Sequence, residues 1–326
     1  SRAARVPPRD SIAHAPSESA SARSATLEQG DTSARRATPK PRALTDAEQR
    51  VADGIVFAPS VTERFIVAAR NKRLLVDVGR VDLEIKQDAD LLELVRRVTA
   101  RTGPLSRVAH VRVRGTWGEE TDSIVGYDVW NGRAVAVLQA SARADSLLKR
   151  NLPLVGVATR ALASADTAVT PSPVNASGGC MRDSMPPALA ARVALVRDSL
   201  VRWVADSVKS SYARGGKLTV RGDTASGCFG AWRAVVVVSA RTPAFDWSEE
   251  RTLLVTPEGK TAVSRLRDLR LRTHELLVAF DADGDGIDEL AARGLAQRMG
   301  AQSVLKLDPT TRRFSRFASG FAWESR

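Results

Sequence analysis

The stretch SIVGYDVWNGRAVAVLQ, residues 123–139, holds two runs rich in β-branched and aromatic residues around Asn131-Gly132. An Asn-Gly pair supplies the two positive-φ positions of a type I′ turn, the turn that matches the twist of paired strands. The spacing therefore predicts a β-hairpin, Ser123–Trp130 against Arg133–Gln139, and a locally antiparallel sheet.

Working outward, strands are expected at Ile55–Ala58, Leu74–Ile85 and Val108–Arg114. Thr45-Asp46-Ala47-Glu48 has capping-box spacing, and Gly54 can end the short helix it opens. Asp88 can cap a helix over 89–101, with Leu91, Leu92, Val95 and Val98 on one face and Gly103-Pro104 as the stop. Residues 169–187, rich in Pro, Ser and Gly, read as a linker. A long helix is expected over 187–214, where Leu189, Val193, Val196, Leu200, Val204 and Val208 form one apolar stripe. Strand signals follow at Lys217–Arg221, Ala231–Ser239, Arg251–Val255, Thr261–Leu266 and Glu275–Phe280. A helix is expected over Ile287–Met299, then a hairpin of Ser303–Leu307 and Arg312–Phe317. The expected fold class is α+β: two mainly antiparallel-sheet domains with a few helices, residues 45–168 and 188–326, preceded by an extended N-terminal arm.

That arm, residues 1–44, is low in complexity and carries eight Arg/Lys against four Asp/Glu. It lacks the apolar surface to fold alone. The whole chain of 326 residues has a formal net charge of +12, with 41 Arg and 8 Lys. Such charge favours an anionic partner: an acidic face of a membrane protein complex, a lipid surface or nucleic acid. No zinc-finger, RNP or helix-turn-helix spacing supports nucleic acid. No apolar run approaches the roughly 18 residues that span a bilayer. The chain begins at Ser1 rather than Met, so either a targeting segment has been removed or the sequence is a cut piece; together with the acidic run at 281–289 this favours an extracytoplasmic location. There Cys180 and Cys228, which lack CxxC spacing, are candidates for a disulfide. It would close a span of 228 − 180 = 48 residues.

The other conspicuous run is FDADGDGIDEL, residues 280–290. Asp281, Asp283 and Asp285 place carboxylates at positions 1, 3 and 5 of a tight turn, and Gly286 permits the bend at position 6. The Ile287 carbonyl and Glu289 supply positions 7 and 9, an oxygen set suited to a hard cation. The run resembles the DxDxDG calcium loops of EF-hand proteins and, more closely, of extracellular FG-GAP repeats, where a strand leads into the loop. The resemblance covers residues 281–289 and implies a bound, structural Ca²⁺. Position 12 would be Ala292, so the bidentate glutamate of an EF-hand is missing, and a calcium-sensing switch is not expected.

Only three histidines occur, His14, His110 and His274, and no HExxH, GxSxG, Walker or GxGxxG motif is present. The expected function is therefore non-enzymatic: an accessory subunit at the periplasmic face, docked on a larger membrane assembly through its basic arm. In its basic, membrane-extrinsic character the chain is similar to the accessory subunits that brace a bacterial photosynthetic reaction centre within its light-harvesting ring. With no CxxCH haem signature, its role there would be structural. Two alternatives stand beside this reading. One is a secreted, calcium-stabilised module that binds carbohydrate or protein. The other is a hydrolase whose site is scattered along the chain.

Overall fold

The computed structural model describes residues 42–58, 63–83, 88–150, 154–160, 185–211, 217–244, 247–266, 271–297 and 299–324. Leu44–Arg326 form one compact unit. The expected arm before Arg42, Cys180 and the linker up to residue 184 lie outside the described residues. The fold class is α+β with mainly antiparallel sheets.

The first half runs α1 (Asp46–Asp53), β1 (Ile55–Phe57), β2 (Arg64–Arg70), β3 (Arg73–Val81), α2 (Ala89–Thr102), β4 (His110–Gly115), β5 (Gly118–Trp130), β6 (Arg133–Leu138), α3 (Ala142–Lys149) and β7 (Val155–Arg160). The expected caps start the helices. Thr45 and Glu48 form the reciprocal capping box of α1. Asp88 accepts from the Asp90 and Leu91 amides at 3.0 and 3.1 Å. Asn131 and Gly132 turn β5 into β6 with φ of +47° and +69°.

The strands are ordered β1-β3-β2-β7-β4-β5-β6, and β3 also pairs with β6. Six strands thus close into an antiparallel ring, with β1 continuing the β2 side of β3. Alternation sorts the side chains to two destinations. Phe65, Val67, Leu74, Val76, Ala134 and Ala136 join a core that α1, α2 and α3 complete. Ile66, Ala68, Leu75, Val135, Val155 and Val157 point the other way, onto a second sheet.

That sheet follows α4 (Pro187–Ser211). It comprises β8 (Thr219–Phe229), β9 (Trp232–Arg241), β10 (Ser248–Val255), β11 (Thr261–Leu266), β12 (Thr273–Phe280), β13 (Glu289–Leu295), β14 (Met299–Asp308) and β15 (Arg313–Glu324). Its order is β12-β13-β14-β15-β11-β10-β9-β8. The sheet curls until β12 lies against β8, enclosing Phe229, Val235, Leu254, Leu290, Leu305 and Phe314. The β11–β15 contact is parallel and holds only Arg265↔Arg313 and Leu266↔Phe314. The stripe expected on α4 packs on β9: Leu189 and Val193 against Ala234 and Val236, and Val204 and Val208 against Val238 and Ala240.

The two sheets share an apolar layer in which Ile66 and Val157 meet Phe280, Val304, Phe317 and Phe321. Asp77, with a side chain only 1% exposed, pins that layer. It pairs with Arg133 at 2.9 Å and accepts the amides of Gly79 and Phe321. Burial raises its pKa, and the Arg133 charge only partly opposes this. Arg70 adds a second tie, donating to Gln302 Oε1 at 3.0 Å while stacking over Trp130 and Phe321.

One expected element is corrected. Residues 289–295, expected within a helix over Ile287–Met299, are strand β13, and β14 begins at Met299. Leu290 and Ala292 face one core while Ala291 faces the other. A strand buried on both faces reads as a continuous apolar run, which periodicity does not distinguish from a buried helix.

Candidate metal centre

β12 and β13 are antiparallel neighbours, with Phe280 opposite Glu289. The acidic run is therefore the connection of a β-hairpin, not the strand-to-helix corner expected from the sequence. Gly284 and Gly286 adopt φ of +83° and +87°, a region that a side chain disfavours. Those two residues let the chain fold back on Asp281. Its Oδ1 accepts the Gly284 amide at 2.6 Å and its Oδ2 the Gly286 amide at 3.2 Å. Asp283 accepts the Asp285 amide at 3.3 Å, and Asp285 accepts the Ile287 amide at 2.8 Å. Glu289, fully buried, accepts the Ala282 amide at 2.7 Å.

The result is a compact oxygen cluster. One carboxylate oxygen each from Asp281, Asp283 and Asp285 lie within 4.8 Å of one another. Ligands at about 2.3–2.6 Å from a Ca²⁺ can be at most about 5 Å apart, so one cation can touch all three. The set suits Ca²⁺, Mg²⁺ and Mn²⁺ alike. Ile287 enters through its amide, and Glu289 stands beside the three aspartates.

No sequence pattern marks Lys306, on β14, as part of the site. Its ammonium donates to Asp283, lies 2.7 Å from Asp285 and 3.3 Å from Glu289. Burial works against this charge, but the hydrogen bonds to Asp283 and Asp285 outweigh it and raise the lysine pKa. The same ammonium, with the Ile287 amide, outweighs burial at Asp285 and lowers its pKa. Burial dominates at Glu289 and lifts it to about 7, with the Asp283 charge adding to the shift and the Ala282 amide opposing it. The loop thus holds one internal cation that shares oxygens with any metal bound there. Arg114 of β4 lies against Gly284 and pairs with Glu119 at 2.8 Å, so the first sheet also touches the loop.

The remaining candidates fall elsewhere. Cys228 is disulfide-bonded, and its amide donates to Asp288 Oδ2 at 2.7 Å; Cys180 lies outside the described residues. His274 is buried, with Nδ1 3.1 Å from Glu250, and His110 Nδ1 lies 3.1 Å from Ser123 Oγ on an exposed ladder. His14 is outside the described residues. No helix among the described residues is long and apolar enough to cross a membrane. No protein-family model, curated protein or solved structure matches this chain.

Proposed function

We propose that this protein is a non-enzymatic, extracytoplasmic accessory subunit that docks on a larger membrane assembly. The observation that carries the reading is the division of the chain. The compact unit begins at Leu44, and the 43 residues before it carry eight basic and four acidic residues. Two curled sheets sharing a buried layer supply a rigid body, and the basic stretch supplies reach and charge for an anionic surface. The most specific form of the proposal is an extrinsic subunit that braces a photosynthetic reaction centre with its light-harvesting complex at the periplasmic face. The acidic loop would then be a structural Ca²⁺ site that stiffens the β12–β13 hairpin.

The test is removal of residues 1–43 followed by co-purification with solubilised membranes of the source organism. The truncated chain is expected to lose association, and the full chain to lose it progressively as salt rises. Association unchanged by the truncation sinks the proposal. The oxygen cluster favours one second reading, a calcium-stabilised module that binds carbohydrate. Saturable, calcium-dependent binding on a glycan array would support it.

A further inference from the structure

A cleft of about 650 Å³ opens beside the acidic loop, walled by the β4–β5 turn, the starts of α3 and α4, the end of β8 and the end of β12. That volume suits a small organic ligand. Three guanidinium groups line it, Arg114, Arg143 and Arg233, each brought by a different element. Arg143 stands exposed in the first turn of α3 and makes no ion pair or hydrogen bond among the described residues. Thr116 also lines the cleft, with its hydroxyl oxygen turned into the protein.

The start of the 25-residue α4 adds to the positive field, because its first turn has no acidic residue. Carboxylates line the cleft as well, but most of their oxygens are engaged. Glu119 pairs with Arg112 through one oxygen and Arg114 through the other. Asp281 accepts two loop amides, and Asp288 accepts the Cys228 amide through Oδ2, its Oδ1 being buried. Met185, Leu189 and Val278 give the cleft an apolar wall.

We propose that this cleft binds a small organic oxyanion, a carboxylate or phosphate carried on an apolar body. Arg143 meets the head group together with Arg114 and Arg233, and the apolar body lies against Leu189 and Val278. Guanidinium groups suit both head groups because their paired N–H donors match two oxygens at once. The inference does not depend on the docking role or on metal in the loop.

Calorimetric titration of the full chain at constant ionic strength tests it, with hexanoate, hexyl phosphate and hexanol as probes. At least one anion is expected to bind saturably, and hexanol at least roughly tenfold more weakly, since a hydrogen bond to a charged group carries a difference of that order. The better anion identifies the head group. Arg143→Ala is expected to weaken that anion roughly tenfold while melting like the wild type. Should the alanine variant melt earlier, Arg143→Gln serves the same comparison. No saturable binding of either anion, hexanol binding as tightly as both, or Arg143 variants that bind like the wild type each overturn the proposal.

Discussion

Replacing Lys306 with Met removes the internal cation of the acidic loop while keeping the apolar stem, and the cost follows from its three partners. Asp283 and Asp285 have side chains 24% and 40% exposed, so each pair contributes about 0–1 kcal/mol. Glu289 is fully buried, where stranding a charge costs about 3–5 kcal/mol. Its pKa near 7 lets it take up a proton instead, which reduces that penalty at neutral pH. The balance is about 2–4 kcal/mol, or on the order of 5–10 °C in Tm for a unit of this size. Scanning fluorimetry in chelator reads it directly. Calcium should then have the opposite effect. At about 100 times Kd it returns about 2.7 kcal/mol, most of the loss. In the wild type the metal must displace the ammonium, so its calcium affinity should be roughly tenfold weaker or more. The variant is therefore expected to be the less stable protein in chelator and the more calcium-responsive one. Calcium that shifts the Tm of neither protein refutes the metal site. A variant that melts like the wild type in chelator refutes the counter-ion role of Lys306.

Three further perturbations test the frame around the site. Asp122 is buried, and burial, reinforced by the charge of Glu120, lifts its pKa from 3.8 to about 7. The folded state therefore holds that proton longer, and its stabilising share is full below about pH 4 and lost as pH rises through about 7. Tm measured from pH 4 to pH 8 should fall more for the wild type than for Asp122→Asn, and parallel curves would contradict the assignment. Asp77→Ala strands Arg133, whose side chain is 12% exposed, and should cost about 3–5 kcal/mol in urea titrations; a loss under about 1 kcal/mol, the size of a surface pair, would argue against the tie between the sheets. Gly79→Ala puts a Cβ 2.7 Å from the Val56 carbonyl oxygen and 2.8 Å from the Phe57 Cα, both rigid backbone. It should cost about 1–3 kcal/mol and speed hydrogen exchange in Ile55–Phe57, whereas wild-type exchange there would show that β1 does not pack as described.

What was legible in the sequence was local. The Asn131-Gly132 turn, the caps at Thr45 and Asp88, and the stripe on α4 each draw their signal from a few consecutive turns of chain. β2 (RFIVAAR) and β7 (VGVATR) gave no usable alternation, because Ile66 and Val157 face one core while Phe65 and Ala158 face the other. The same double burial disguised β13 as a helix. Ring closure was illegible for a different reason: nothing in residues 73–81 states that β3 will pair along both edges. At the site, the spacing of Asp281, Asp283 and Asp285 announced a cluster, since the turn alone gathers them. Lys306 and Arg114 arrive through tertiary contacts from β14 and β4, and in a chain of 49 Lys and Arg nothing marks those two in advance.

The ring has a consequence for how the chain acquires its structure. β5 and β6 are separated by two turn residues and can zip within about 1–10 μs. β2 must wait for β7: Phe65 pairs with Ala158, 158 − 65 = 93 positions later. Pairings this distant in sequence slow folding. At a synthesis rate of about 5–20 residues per second, β2 leaves the ribosome about 5–20 s before its partner. Through that interval the apolar β2 segment has an unsatisfied edge, the condition in which nascent strands pair with the wrong neighbour. The delay is fixed by strand order alone, so substitutions that raise equilibrium stability would leave it unchanged, whereas a circular permutation that brings β7 beside β2 would remove it.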